Sequence, residues 1–460
     1  MSKAKKIVII GGGPGGYVCA VRASQLGASV TLIEKGEIGG TCLNRGCIPT
    51  KSLLHSADLW SELHDMPLSG IRVDTYEFSW KTMQRRKDHT VDKLRGGVER
   101  LMSRYGVTVK KGLGRLDADG SVAFVPAGEG SAEKLEADAV VIATGTAPAM
   151  VPLPLPEGYE PMTTDELLSI QELPESLAIV GGGVIGVEMA SVFARRGVHV
   201  EIIELLPEIL AQLDGDLGRF AEGEFVKAGI AINKGVSTTA VTGGRGSLKV
   251  ALSSGREFTV SDMLVAVGRR PQTAGLEAAG IALDRRGYIQ VDGHLQTSRK
   301  GIYAIGDVTG KGLLAHVASA QGLCCAEGIL GTPYAMDDKV IPSCVFSAPE
   351  LASAGLTEAQ AREQGVAFKT TLYPFASNGK AMAEGDSDGF IKLIAEKESG
   401  KIIGVHIAGG SADTLIHEGA LAIQLGATAE QLARMIHAHP TRSEGIAEAA
   451  EGLMGKAIHY

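Results

Sequence analysis

The stretch Ile7-Val8-Ile9-Ile10-Gly11-Gly12-Gly13-Pro14-Gly15-Gly16 is an apolar strand running into a glycine turn, and Leu177-Ala178-Ile179-Val180-Gly181-Gly182-Gly183-Val184-Ile185-Gly186 repeats it 170 residues later. The same shift superimposes Ala20 on Ala190, Gly27 on Gly197, Val30 on Val200 and Glu34 on Glu204. Each copy reads strand, turn, helix, strand, with an acidic residue about 20 positions past the turn. In such a unit the glycines make the tight turn, let the backbone approach a pyrophosphate and let helix and strand pack closely, while the helix N-terminus favours phosphate charge. One such turn is weak information; two in context predict two bound dinucleotides. The terminal carboxylates suit ribose diols. Glu204 would repel a 2′-phosphate, and Arg195 and Arg196 come too early to replace it, so the second site is expected to take NAD and not NADP.

Outward from these units, Ala139-Val140-Val141-Ile142-Ala143-Thr144-Gly145 and Met263-Leu264-Val265-Ala266-Val267-Gly268 are apolar strands entering glycine turns, read as closing each nucleotide-binding domain. Pro152, Pro154, Pro156 and Pro161 mark a semi-rigid connector. Ile302 to Gly306-Asp307 is a further strand and turn, followed by a helix holding Ala315 and His316. Asp307 there reads either as a ligand for a sugar-like chain or as a helix cap. The last 120 or so residues change character: strands Phe390 to Ala395 and Ile402 to Ile407, then helices around Asp413 to Leu425 and Ala429 to Ile436, form an α+β module.

Length and composition set bounds. The 460 residues allow about three domains, and 44% apolar with 21% charged residues is ordinary for a globular protein. A net charge of −8 argues against nucleic acid as a partner. No apolar run approaches the roughly 18 residues of a membrane span. The start, Met1 to Lys6, leads directly into a strand with no room for a leader, so the cytoplasm is expected. In that reducing setting Cys19, Cys42, Cys47, Cys324, Cys325 and Cys344 do not read as a structural disulfide framework. Cys19, Cys324 and Cys325 read as packing residues.

Cys42 and Cys47 differ from the rest. They directly follow the first dinucleotide unit, which suggests a redox-active pair beside a flavin; ordinary buried thiols and half of a metal site remain the alternatives. A regular helix separates positions i and i+5 by about 7.5 Å, too far for a disulfide, so bonded sulfurs require a local distortion. Gly46 and Pro49 suit an irregular helix start. A helix N-terminus at Cys47 also favours thiolate. His439 and Glu444 near the C-terminus could form an oriented acid-base pair, or merely a surface contact.

Together these motifs resemble the FAD-dependent pyridine nucleotide-disulfide oxidoreductases over essentially the whole chain. The family pattern GGTCxNxGCxPxK stands at Gly39 to Lys51, GGGxIGxE at Gly181 to Glu188, the Gly-Asp turn at Gly306-Asp307 and HxHPTxSE at His437 to Glu444. The resemblance implies an α/β chain with two Rossmann-like dinucleotide-binding domains, for FAD and NAD, plus a C-terminal α+β dimerisation domain. Residues 1–147 and 272–336 would form the FAD-binding and central part, 148–271 the NAD-binding part and 337–460 the interface. It implies oxidation of protein-bound dihydrolipoamide with reduction of NAD⁺.

Residue by residue, Gly11, Gly13, Gly16, Glu34, Lys35 and Thr41 would hold FAD, with Gly114, Thr144 and Gly145 nearby. Asp307 would take the ribityl chain, and Leu314, Ala315 and His316 would border the flavin through their backbone. Lys51 would sit by flavin N5 and pair with Glu188. Gly181, Gly183, Gly186, Glu204, Val236 and Gly268 would line the NAD site. Cys42 would exchange with substrate, Cys47 would face the flavin, and His439, held by Glu444, would take the thiol proton from the partner subunit's side of a homodimer. The dithiol would arrive on a lipoylated carrier, either the acyltransferase core of a 2-oxo acid dehydrogenase complex or the carrier of glycine cleavage. Glutathione- and mercuric-reductase-like activities share the scaffold, but Glu204 disfavours NADPH and the C-terminus lacks an extra thiol pair; a non-catalytic FAD-binding subunit would not need His439 and Glu444. Arg45 and Arg442 occupy variable positions of two motifs, where a cation would alter access for the carrier.

Overall fold

A computed structural model describes residues 4–128, 130–336 and 338–460, with backbone alone at 64 and 65. The first three residues, part of the stretch from which the absence of a leader was read, lie outside the described ones. The run Ile7 to Ile10 is buried on both faces, as its unbroken apolar character demands, and it lies inside a seven-stranded sheet. The order is Ile302–Ala304, Ala139–Ile142, Lys6–Ile10, Ser29–Glu34, Thr108–Leu116, Val122–Pro126, Glu133–Leu135. The first five strands run parallel and the last two turn back. Ala139–Ile142 is therefore an inner strand, and Ile302–Ala304 is the one that closes this edge. The second copy builds a smaller parallel sheet ordered Ala231–Lys234, His199–Glu204, Ser176–Val180, Asp262–Val265, where the segment around Met263 is the closing strand the sequence predicts.

The chain enters and leaves the second unit side by side: Thr146–Pro148 pairs antiparallel with Arg269–Pro271. A third, antiparallel sheet of five strands, ordered Ser343–Val345, Leu351–Gly355, Ile402–Ala408, Phe390–Glu396, Phe368–Pro374, carries helices Ala412–Leu425 and Glu444–Leu453. The short helix from Ala429 stops at Ala433 and not near Ile436, which is left 94% exposed.

Two contacts fix the arrangement. Helices Pro14–Gln25 and Ala315–Leu330 cross so closely that a Cβ on Gly322 would lie 2.6 Å from the Gly15 carbonyl oxygen. Cys19, Cys324 and Cys325 are buried in this region, as packing residues should be. Between the second and third sheets, buried Lys392 lies 2.7 Å from Asp214, 2.5 Å from Asp216 and 2.7 Å from Glu358. Asp214 also caps helix Gly215–Lys227, so one ammonium ties the N-terminus of a helix beside the second sheet to the five-stranded one. Removing one partner of a buried ion pair costs roughly 3–5 kcal/mol because the remaining charges stay uncompensated. Lys392→Met is expected to lower the thermal midpoint of the protein, and calorimetry showing no change would contradict this role.

Candidate active site

The two glycine turns match at the level of single hydrogen bonds. Glu34 accepts from Gly12 N and Gly36 N, both at 2.7 Å; Glu204 accepts from Gly182 N at 2.6 Å and Leu206 N at 2.7 Å. Gly11 and Gly181 take φ of +111° and +113°, where a Cβ would stand 2.2 Å from Ala143 O and 2.4 Å from Ala266 O. Gly16 and Gly186 are forced as well: their Cβ atoms would meet the carbonyl oxygens of Gly11 and Gly181 at 1.9 and 2.0 Å. Gly13 and Gly183 are different. Their backbone suits any residue, and a Cβ would meet nothing nearer than 3.9 Å at Gly13 and nothing within 4 Å at Gly183. The fold does not require glycine there, but a phosphate brought against the uncapped helix N-terminus does. Both cradles thus fit a dinucleotide.

The redox segment is fastened to the first cradle. Gly39 N donates to Gly12 O at 2.8 Å, and a Cβ on Gly40 would lie 2.6 Å from the Gly13 Cα. Cys42, next to Thr41, sits on the short helix Gly40–Arg45, and Cys47 opens helix Cys47–Asp65. Gly46 between them has φ −144° and ψ −107°, the distortion that the spacing requires. Both cysteines are free thiols, and they hydrogen-bond to each other. Donation from Cys42 lowers the Cys47 pKa to about 7 against the opposing effect of burial, with further help from the charge of Lys51. The same hydrogen bond, with burial, pushes Cys42 far upward. The pair is thus chemically unequal before any ligand is considered.

Lys51 reaches Glu188 at 2.8 and 2.9 Å and lies 4.6 Å from the centre of the Phe346 ring. Phe346 N also donates to Glu188 at 3.0 Å. At the far end of the same helix Arg195 pairs with Asp58, while Arg196 donates to Ala57 O and lies 5.0 Å from the Trp60 and Phe78 rings. Both arginines are engaged with the redox helix, in keeping with their exclusion as 2′-phosphate ligands.

Asp307 is held by residues that motif reading overlooked. It accepts from Thr146 Oγ1 at 2.8 Å, and Thr146 accepts from Arg269 Nε at 2.7 Å. Burial raises its pKa. Gln272 accepts from Lys35 at 2.7 Å and joins it to Thr144 through a donated and an accepted bond. Their only sequence signal is position, just past Gly145 and Gly268. Gly145 and Gly268 adopt positive φ, and Gly114 packs on Ile10 and Ile33. Leu314 precedes helix Ala315–Leu330, and the His316 ring meets Pro342 O at 2.9 Å. Val236 N donates to Glu204 O, placing Val236 beside the second cradle.

Far along the chain, His439 Nδ1 lies 2.8 Å from Glu444, whose other oxygen accepts from Thr441 N at 2.8 Å. The His439 side chain is 79% exposed, leaving Nε2 as the nitrogen that can take a proton. Burial opposes ionisation of Glu444, but the Thr441 and His439 contacts outweigh it and lower its pKa. The structure corrects one expectation: Arg442 does not project toward a carrier but is buried, bound to Asp386 and Glu384. Arg45 is half exposed and turned to Asp165 at 3.3 Å.

Comparison with known proteins agrees with this geometry. Residues 5–322 match the pyridine nucleotide-disulphide oxidoreductase model, and residues 341–450 match the dimerisation domain of the same family. The chain belongs to the pyridine nucleotide-disulphide oxidoreductases: it is a flavoprotein enzyme that uses FAD and NAD, and it carries the module through which such chains form homodimers. Among relatives, it is 38% identical to a dihydrolipoyl dehydrogenase of Bacillus subtilis (strain 168), covering 100% of both chains. It is 39% identical to a mitochondrial dihydrolipoyl dehydrogenase of Pisum sativum, over 100% of this chain and 93% of that one. The crystal structure of LpdA from Mycobacterium tuberculosis superimposes with a TM-score of 0.91 at 30% identity, covering 98% of this chain and 100% of that one.

Two outcomes follow from the geometry. Gly183→Ala is expected to fold normally yet weaken NADH binding by about ten-fold, roughly 1.4 kcal/mol, whereas Gly186→Ala should disrupt the turn itself; equal NADH affinity for Gly183→Ala in a fluorescence titration would refute the cradle. Replacing Lys51 with Met removes a positive charge that favours thiolate and leaves Glu188 uncompensated. Both effects raise the Cys47 pKa, so in the reduced protein the thiolate absorbance near 240 nm should develop at higher pH than in wild type, and an unmoved midpoint would contradict the assignment.

Proposed function

We propose that this chain works as a dihydrolipoyl dehydrogenase, oxidising protein-bound dihydrolipoamide to lipoamide while NAD⁺ becomes NADH. The observation that supports this most is the placement of Cys42 and Cys47 on either side of Gly46, in a segment fastened to a dinucleotide cradle through Gly39 and Gly40, with Lys51 of the Cys47 helix paired to Glu188. In the oxidised enzyme one substrate thiol, its proton taken by His439 Nε2, attacks the Cys42 sulfur. The Cys42–Cys47 bond breaks, Cys47 leaves as thiolate, and the second substrate thiol then displaces Cys42 to close the lipoamide disulfide. Lys51 favours the thiolate electrostatically, and Glu444 orients the imidazole and stabilises its charged form. FAD held by the first cradle would supply the two-electron chemistry between the thiol pair and NAD⁺, and Cys42 and Cys47 return to their disulfide.

The cradle of Gly11, Gly13, Gly16 and Glu34 would hold FAD, helped by Lys35, Thr41, Gly114, Thr144, Gly145 and Asp307 and by the backbone of Leu314, Ala315 and His316. Gly181, Gly183, Gly186, Glu204, Val236 and Gly268 would hold NAD, with Glu188 fixing Lys51. In this reading residues 1–147 with 272–336, 148–271 and 337–460 are the FAD, NAD and interface parts. His439 and Glu444 serve the cysteines of the other subunit of the homodimer, which accords with the exposure of the His439 ring. The carrier is the acyltransferase core of a 2-oxo acid dehydrogenase complex or the lipoylated protein of glycine cleavage, met in the cytoplasm. No helix among the described residues is long and apolar enough to cross a membrane.

Steady-state turnover of each purified lipoyl carrier with NAD⁺ and NADP⁺ tests this directly. NAD⁺-dependent turnover is expected, abolished in Cys42→Ser with FAD retained; a wild-type protein inert toward every lipoyl carrier would overturn the reading.

A further inference from the structure

The acid-base pair sits on residues 437–444, a stretch outside any helix or strand until helix Glu444–Leu453 begins. A site on irregular chain needs its geometry supplied by neighbours, because catalytic groups must be held within about 0.5 Å. Three buried side chains supply it. His437 meets Glu418 of helix Ala412–Leu425 at 2.9 Å, and Asn378 donates to Thr441 O at 3.1 Å. The third is Arg442, midway between His439 and Glu444.

Arg442 uses its fork in full. One terminal nitrogen reaches Asp386 Oδ2 at 2.8 Å and Asp386 O at 2.9 Å, the other reaches Gly410 O at 3.3 Å, and Nε reaches Glu384 at 3.2 Å. Its guanidinium lies 5.4 Å from the Phe375 ring centre, and the side chain is 7% exposed. The surroundings are shaped for it: a Cβ on Gly410 would stand 2.1 Å from Asp386 Oδ2 and 3.2 Å from the guanidinium. Lys380, paired with Glu384 at 2.9 Å, is the nearby cation. An ammonium could keep one of these contacts but not the planar set.

We propose that Arg442 is a positioning residue for the reaction, holding the loop so that Thr441 N and His439 Nδ1 meet the two oxygens of Glu444. This rests on the acid-base assignment of His439 and Glu444 given above. The FAD-loaded dimers of wild type, Arg442→Met and Arg442→Lys are compared by kcat and KM for dihydrolipoamide, and by NADH-dependent reduction of ferricyanide, which bypasses the cysteines and His439. Arg442→Met should lose on the order of 10- to 100-fold in kcat, with little change in KM. Ferricyanide reduction should stay at the wild-type level. Arg442→Lys should fall between. Wild-type kcat in Arg442→Met would overturn the proposal, as would parallel loss of FAD and ferricyanide reduction, which marks a scaffold role. Absence of dihydrolipoamide turnover in wild type would instead sink the assignment of the acid-base pair itself.

Discussion

The carboxylate of Glu188 is where the three parts of the chain meet. It accepts Lys51 from helix Cys47–Asp65 with both oxygens and the N–H of Phe346, the residue just past strand Ser343–Val345, while itself belonging to the helix of the second dinucleotide unit. At 5% exposure it is a buried ion, and such pairs contribute little net stability once desolvation is counted. What the pair secures is register: breaking it would leave a buried charge, so helices Cys47–Asp65 and Val184–Ala194 and the chain just past strand Ser343–Val345 are held at one relative position. The pair between Arg195, at the C-terminal end of the Glu188 helix, and Asp58, two turns along the other helix from Lys51, resists rotation about that point.

The duplication shows which features of a dinucleotide unit belong to folding and which to ligands. Gly11, Gly16, Gly181 and Gly186 are dictated by the backbone's approach to its own neighbouring strand. Gly13 and Gly183 are spared any such contact and are bare toward the helix N-terminus. The two Glu residues are likewise pre-set in both copies by paired backbone N–H groups, so the carboxylates are already oriented before a ribose arrives. Similar geometry at a 170-residue offset is the physical content of the sequence repeat.

Local periodicity and short motifs made legible the parallel strands of the two dinucleotide units, the distortion at Gly46, the Gly-Asp turn and the His439–Glu444 pair. They did so because each is decided by residues close together in sequence. The connections that hold those pieces together were not legible. Thr146 with Asp307, Lys35 with Gln272 and Lys392 with Asp214 join residues 161, 237 and 178 positions apart, and nothing in the local pattern marks them. Arg442 misled for the same reason: an arginine in a site motif reads as exposed until its partners, 32 to 58 residues upstream, are known.

The inequality of the two thiols depends on placement more than on composition. Both cysteines are mostly shielded, and shielding alone would raise both pKa values. Cys47 escapes because it receives the Cys42 hydrogen bond and feels Lys51; Cys42, on the far side of Gly46, supplies that bond and bears the cost. Lys51 can act in this way only while Glu188 fixes it, and the opposing charge of Glu188 keeps its effect moderate. A thiolate near neutrality is a better compromise than a deeper one, since nucleophilicity and leaving ability pull its pKa in opposite directions. The contact that joins the two helices and the third sheet therefore also bears on how readily Cys47 ionises.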